Sequence, residues 1–294
     1  MDAISLVPLQ TAAAEAYWRV YVAGRTDLPS RDLQAHLDRY LALPPEEQRT
    51  HLAIMKDGTI IGTLRLLPDT ITGFAIEPAR QQYATLALVK AMDLLRSQGV
   101  TAITASYEDR YEPFFEALGF RRRFARMRME APTKRFPPAS GVGLKPPEES
   151  EVVHLAAFFK DVYEGHLEQQ YGMHVGTDDE WRAYMTGVLK GEVGRFMPEA
   201  SLVAVDAGRI VGAILMSHWM GMPLIAEVGV AKDRRGKGLG RALLEAASSR
   251  LESLGEPVWA LYVTLGNDNA IALYKDFEFI QAGGQTVTAR LEGS

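Results

Sequence analysis

Between Val228 and Leu244 the chain reads Val-Gly-Val-Ala-Lys-Asp-Arg-Arg-Gly-Lys-Gly-Leu-Gly-Arg-Ala-Leu-Leu. A β-rich run ends, a turn with Gly236, Gly238 and Gly240 follows, and a helical pattern opens with its apolar face at Leu239, Leu243 and Leu244. Residues without a Cβ let the backbone approach a ligand closely, and the free amides at a helix N-terminus, with the positive end of its dipole, attract an anion. Phosphate is the ligand this chemistry suits. Lys232, Arg234, Arg235, Lys237 and Arg241 place five basic residues in ten positions, within a half (141–294) that holds 14 Lys/Arg against 21 Asp/Glu. Local positive charge on an acidic background points to one specific anion. The turn does not end in the Gly-Lys-Ser/Thr of a nucleotide P-loop, and it lacks the glycine spacing and ribose-binding acid of dinucleotide folds.

The 294 residues include no Cys, which excludes disulfides, thiolate zinc sites and a Cys nucleophile. Net charge is −5, and residues 1–140 are nearly balanced at 18 basic against 16 acidic, so no general nucleic-acid footprint is expected. Met1 to Gln10 has no basic region ahead of a long apolar run, and no segment approaches the ~20 apolar residues of a membrane helix. The expectation is a cytoplasmic protein without membrane contact. The sequence leaves its oligomeric state open.

The elements that must position the turn are found by self-comparison. Leu52 to Leu64 matches Leu202 to Ile214 at a constant offset, with Leu52/Leu202, Gly58/Gly208, Ile60/Ile210 and Gly62/Gly212 identical. Each segment predicts a β-hairpin. Two helices precede each hairpin, within 11–42 and 149–191. Strand, helix, strand, short helix and strand follow, near 70–77, 81–98, 101–107, 111–118 and 120–129, and near 223–231, 238–254, 257–265, 268–277 and 279–290. Five prolines between Ala131 and Ser150 mark a linker. The reading is two tandem α/β domains, 1–131 and 143–294 with 132–142 between them, each a mixed, largely antiparallel sheet flanked by helices.

Arg235-x-x-Gly238-x-Gly240 resembles the acyl-CoA pyrophosphate loop of the GNAT superfamily of N-acetyltransferases. Asn267-x-x-Ala270-Ile271-x-Leu273-Tyr274 followed by Phe279 resembles that family's second signature. The resemblance covers 141–294 and extends more weakly, through the repeat, to residues 3–130. It implies that the backbone at Arg235, Gly236, Gly238 and Gly240 binds pyrophosphate with Lys237 and Arg241 as helpers, and that Val228 to Val230 pairs with pantetheine. Acetyl-CoA is the implied co-substrate and metal the implied absence. Tyr274 stands where the family often places the phenol that protonates the leaving thiolate, although a ring packed beside Phe277 accounts for it too. Asn267 would cap the following helix near the coenzyme. Glu227, the one carboxylate of its strand, is a base for the amine, directly or through water, or else a simple exposed Glu. Lys232 and Glu278 depart from the family's usual proline and glycine at turns.

In the first half Gln81, Gln82, Ala84 and Leu86 stand opposite Arg235, Gly236, Gly238 and Gly240, and Phe115 stands opposite Tyr274. A phenyl ring cannot donate a proton, so this copy is expected to be degenerate. Near the predicted substrate cleft, Glu164 and Glu168 would share a helical face and attract an amine cation, or form a solvated face. His166 and His174 have no carboxylate partner at metal-ligand spacing, and Trp219 and Met220 line the cleft or merely pack. The implied activity is acetyl transfer to a primary amine, attacking directly in a ternary complex. A non-catalytic acyl-CoA sensor is the alternative class, and mycothiol synthase-like or protein N-acetyltransferase specificities are alternatives within the enzyme class.

Overall fold

The helices form where apolar residues recur at three- and four-residue spacing, and the strands where β-rich runs meet turn residues. The computed structural model describes residues 4–137 and 143–293, and the expected linker therefore lies partly outside the described residues. Two compact units result, one running to Met127 and including the segment from Ala282, the other running from Arg128 to Gln281.

The first unit contains β1 (Ser5–Pro8), α1 (Ala14–Gly24), α2 (Leu33–Leu41), α3 (Pro45–Gln48), β2 (His51–Lys56), β3 (Thr59–Leu67), β4 (Thr70–Ile76), α4 (Ala84–Ser97), β5 (Ile103–Glu108), α5 (Glu112–Ala117) and the start of β6 (Arg121–Pro132). β1 to β4 pair antiparallel in order, and β5 joins β4 in parallel. The second unit contains β7 (Leu144–Lys145), α6 (Val152–Tyr163), α7 (Asp178–Lys190), β8 (Arg195–Phe196), β9 (Leu202–Asp206), β10 (Arg209–Trp219), β11 (Met222–Val230), α8 (Leu239–Ser253), β12 (Val258–Thr264), α9 (Asp268–Asp276) and the first residues of β13 (Ile280–Leu291). Here β7, β9, β10 and β11 are antiparallel and β12 is parallel to β11. The mixed, largely antiparallel sheets agree with the expectation.

The repeated hairpins turn at Asp57-Gly58 and Ala207-Gly208, with positive φ at both positions of each turn. That is the mirror-image turn whose twist matches the flanking strands. α4 buries Ala84, Ala87, Leu88, Ala91 and Leu95, and α8 buries Leu239, Leu243, Leu244, Ala247 and Leu251. Leu239, Leu243 and Leu244 are the face read from the sequence. α7 starts with a reciprocal cap between Thr177 and Glu180 and stops at Gly191 in the left-handed region.

Two boundaries differ from expectation. Residues from 282 onward pack with the first unit, where β13 pairs antiparallel with β5 from Thr286 opposite Glu108 to Leu291 opposite Ile103. Gly284 N donates to Thr26 Oγ1 at 3.0 Å and Thr286 Oγ1 to Asp27 Oδ2 at 2.8 Å. A strand's partner is decided by which edge offers free backbone groups, and periodicity along the chain carries no such information. The proline-rich stretch is also anchored at its start. Lys134 N and Phe136 N donate to Ser248 Oγ and Ser249 Oγ of α8 at 2.8 and 2.9 Å, and Thr133 N bonds Pro257 O.

The position before the last strand shows what the departure at Glu278 costs. Its counterpart in the first unit is Gly119 at φ 92, and Glu278 holds φ 61 while pairing with Lys134. A left-handed backbone costs a side-chain-bearing residue about 1–2 kcal/mol, and an exposed ion pair returns less than that. Glu278→Gly is therefore expected to raise the stability of the second unit by about 1 kcal/mol in urea denaturation. A loss of stability would show that the Lys134 contact outweighs the strain.

Candidate active site

β11 carries the site because its alternation buries Pro223, Ile225, Glu227 and Gly229 on one face. The register shifts between Leu215 and Met216 of β10, leaving Ala226 as the extra residue beside Glu227. Bulges of this kind re-aim a neighbouring side chain. Glu227 is 3% exposed, and its two oxygens accept hydrogen bonds from the hydroxyls of Tyr163 at 2.7 Å and Tyr184 at 2.6 Å. The simple exposed Glu is thereby corrected. Burial pushes this carboxyl above its ordinary value, against the opposing effects of His174 and the two phenols.

A second buried carboxylate lies nearby. α6 stops at Tyr163, with Glu164 already extended and Gly165 at φ 75, so Glu164 and Glu168 do not share a helical face. Glu164 is exposed and bonds Lys232 at 2.7 Å. Glu168, on the following 3₁₀ turn Leu167–Tyr171, is 6% exposed. Its Oε1 accepts from Thr264 Oγ1, and its Oε2 lies 3.0 Å from His174 Nε2 and 3.6 Å from His166 Nδ1. The histidines that lacked a carboxylate partner in sequence thus share one in space. His174 also stacks on Tyr163 with ring centroids 3.7 Å apart, and Trp181 flanks both rings. No group of three or more His, Asp or Glu suited to a metal occurs among the described residues.

Tyr274 is buried on α9 with its ring 5.8 Å from Phe279, whereas Phe277 packs against Phe136. Among the described residues its hydroxyl has no hydrogen-bond partner. Burial, then the charges of Glu168 and Glu227, raise its pKa, so it stays protonated across the neutral range. Asn267 is the N-cap of α9, accepting from Ala270 N at 3.4 Å. Tyr184 and Thr264 escaped sequence reasoning. The only trace of Tyr184 was a phenol set off the core stripe Trp181, Met185 and Val188 of α7.

The glycine turn has the geometry an anion site needs. Gly238 caps α8 at φ 80 and Gly236 holds φ 71, and a Cβ added to either would meet nothing within 4 Å. The first helical bond is Ala242 N to Gly238 O at 3.0 Å, which leaves the earlier amides of the turn outside the helix ladder. The basic side chains are held by protein groups: Lys232 by Glu164, Arg234 by Asp206, Lys237 by Asp233 O at 3.0 Å, and Arg241 by Asp276 at 3.3 Å with its guanidinium 5.0 Å from the Phe277 ring. Exposed pairs of this kind contribute roughly 0–1 kcal/mol, so a phosphate can compete for them. Arg235 donates to Val230 O at 3.2 Å and Val162 O at 3.0 Å.

β11 and β12 pair at Leu224 opposite Ala260, toward their N-terminal ends. Among the described residues, Val228 and Val230 have no ladder partner on β12. A cavity of about 410 Å³ lies at this end, lined by Val162, His166, Arg235, Gly266 and Asn267 among others. The first unit closes the corresponding place. Opposite Val230 stands Ile76, whose amide donates to the Tyr111 hydroxyl at 3.3 Å while that hydroxyl donates to Gly24 O at 2.6 Å. Ala270 stands opposite Tyr111 in the second unit. Phe115, opposite Tyr274, is fully buried with its ring stacked on Tyr107 at 3.9 Å, and Pro78–Tyr83 forms a 3₁₀ helix in place of the glycine turn.

The raised pKa of Glu227 has a consequence for stability. A carboxyl whose folded value exceeds its unfolded one, about 4.3, stabilises the fold below the unfolded value and loses that contribution as pH rises through the folded value. Glu227→Gln is expected to raise the thermal midpoint relative to the unsubstituted protein at pH 8, with the gap closing toward pH 4. A lower midpoint for the variant at pH 8 would contradict the assignment of a strained, buried carboxylate.

Residues 159–279 match the profile of the acetyltransferase (GNAT) family. A mycothiol acetyltransferase of Pseudarthrobacter chlorophenolicus is 31% identical over 173 residues, 52% of this chain and 48% of that protein, so the match spans about half of the relative's length. An acetyltransferase of Sodalis glossinidius is 33% identical over 82 residues, 28% of this chain and 58% of that protein. Among solved structures, a GCN5-related N-acetyltransferase from Sphaerobacter thermophilus superposes with a TM-score of 0.75 at 17% identity, covering 99% of this chain and 96% of that one. A tandem GNAT protein from the clavulanic acid biosynthesis pathway gives 0.65 at 16% identity, covering 99% of each chain. These likenesses establish the fold over the whole chain. The likeness to the acetyltransferase (GNAT) family itself lies in residues 159–279.

Proposed function

We propose that the chain is an acetyl-CoA-dependent N-acetyltransferase whose second unit transfers an acetyl group to a primary amine, and whose first unit is a degenerate copy without a coenzyme site. The observation that carries this reading is the turn Arg235 to Gly240, where two left-handed glycines open α8 onto free amides. The residues present fit the coenzyme. The turn amides with Lys237 and Arg241 would hold the pyrophosphate, and Val228 and Val230 offer backbone groups to pantetheine at the open edge beside the 410 Å³ cavity, with Asn267 on its rim. Bound acetyl-CoA supplies an activated thioester, whose C–S bond breaks as the amine forms its C–N bond.

Glu227 is the base in this reading. It accepts the ammonium proton across the hydroxyl of Tyr163 or Tyr184, which already point at its oxygens. Burial gives it a proton affinity higher than that of a solvated carboxylate, which improves the match to an amine. Tyr274 stabilises the departing thiolate. Its raised pKa makes full transfer to a thiolate, whose thiol titrates near about 8.5, uphill. Hydrogen bonding to the developing charge is therefore the larger part of its role. Without Cys an acyl-thiol intermediate on the protein is closed, which leaves direct attack by the amine. Within this class, the relatives named mycothiol acetyltransferases favour a mycothiol-type acceptor over a protein N-terminus. Among the described residues no helix is long and apolar enough to cross a membrane, and a cytoplasmic, small-molecule enzyme is consistent with that.

The test is thiol release from acetyl-CoA across a panel of primary amines. Tyr274→Phe is expected to lower kcat roughly a hundredfold to a thousandfold while the calorimetric Kd for CoA stays unchanged. An unaltered rate removes Tyr274 from the chemistry, and CoA binding without turnover of any amine would favour a sensor.

A further inference from the structure

Tyr163 is the last residue of α6, and the chain leaves the helix at Glu164 and turns left-handed at Gly165, φ 75. Helix ends fray, so a side chain at this position needs a restraint from outside its own helix. Its hydroxyl donates to Glu227 Oε2 at 2.7 Å. The restraint is a stack of rings. His174 lies face to face with the phenol, planes 3° apart and centroids 3.7 Å apart, and Trp181 of α7 lies within 21° of both planes at 5.9 and 6.1 Å. His166 meets the phenol edge-on at 5.3 Å.

His174 sits in a backbone conformation that few side-chain-bearing residues enter, with φ 53. Strain of this kind persists only where the surroundings impose it, and it gathers at functional sites. Gln169 imposes it here. Its Nε2 donates to His174 O at 3.1 Å while its Oε1 accepts from Gly165 N at 3.0 Å, so one amide joins the two ends of the segment between Tyr163 and His174. Met173 N adds a bond to Glu168 O at 3.2 Å. A ring at a helix end and a ring on a strained backbone are thereby brought together. The other donor on Glu227, Tyr184, is placed by α7. The titratable groups around Glu227 are these two phenols, His174 and Glu168.

We infer that His174 is a positioning residue for the transfer, its ring holding the Tyr163 hydroxyl on Glu227. The inference rests on the reading of Glu227 as the base. A carboxylate that takes a proton across a phenol does so only while the phenol keeps its bond, and a displacement of about 1 Å can cost about a hundredfold in rate.

The experiment compares His174→Asn with His174→Phe in the full chain, each with and without Tyr163→Phe. Both His174 variants lose the same imidazole charge, and only His174→Phe keeps a ring face. Asn also enters the left-handed region readily, so His174→Asn keeps the backbone. The first readout needs no substrate: an infrared titration of the Glu227 carboxyl, whose band is identified by its loss in Glu227→Gln. The Tyr163 hydroxyl lowers the proton affinity of Glu227, so the Glu227 midpoint should lie higher in His174→Asn than in His174→Phe, and the two should coincide once Tyr163→Phe is added. The second readout is thiol release from acetyl-CoA with the amine panel on the alkaline plateau of the rate. There kcat should be about a hundredfold lower in His174→Asn than in His174→Phe, again with no difference beside Tyr163→Phe. Equal values in the two His174 variants, or a difference that survives Tyr163→Phe, overturns the inference. If His174→Phe does not fold, the plateau rates of His174→Asn, Tyr163→Phe and the double variant decide, and losses that multiply overturn it. Full activity of Glu227→Gln would instead remove the base reading, and with it the role of His174 in the transfer, while the infrared comparison still shows whether His174 holds Tyr163 in place.

Discussion

The parting of two parallel strands is the constraint on which the second unit depends. Backbone amides and carbonyls at the end of β11 cannot remain buried without partners, because each unpaired group costs on the order of 1–3 kcal/mol. Something must satisfy them. In the first unit the Tyr111 hydroxyl bridges Ile76 N and Gly24 O and closes the account internally. In the second, Ala270 is too short to do so, Arg235 takes the carbonyls of Val230 and Val162, and a cavity remains. One fold thus yields a bridged strand end in one unit and an open one beside a cavity in the other, through a few side chains.

The carboxylates follow the same logic. Glu227 tolerates burial because two phenols donate to it, and Glu168 because Thr264 and His174 do. Such groups are costly to desolvate and gain little net stability from their partners. In the proposed function, Glu227 turns that cost to proton chemistry. The first unit spends its buried charges differently. Arg25 pairs with Asp27 at 2.5 Å, and Glu108 takes the Thr26 amide at 2.9 Å and Arg110 Nε at 2.9 Å, a set that also touches the incoming segment at Gly284 and Thr286.

Much of this was legible in the residues. The repeat, the two hairpins, the glycine turn and nearly every helix and strand follow from periodicity and turn chemistry acting over a few neighbours. The alternation in β11 alone left Glu227 open between a base and a simple exposed Glu. What covers that carboxylate was not legible, since Tyr163 and Tyr184 come from two other helices. The helical pairing of Glu164 with Glu168 failed because Gly165 ends α6 and reverses the chain. The partner of β13 is chosen by a free strand edge far away in sequence.

The central claim is that the chain holds one coenzyme site, at the open end of β11, and that a tyrosine closes its counterpart. Calorimetric titration of acetyl-CoA into the full chain and into Ala270→Tyr tests this most directly. The account predicts one mole bound per mole of chain, and none by the folded variant. Two moles per chain, or unchanged binding by Ala270→Tyr, would contradict it.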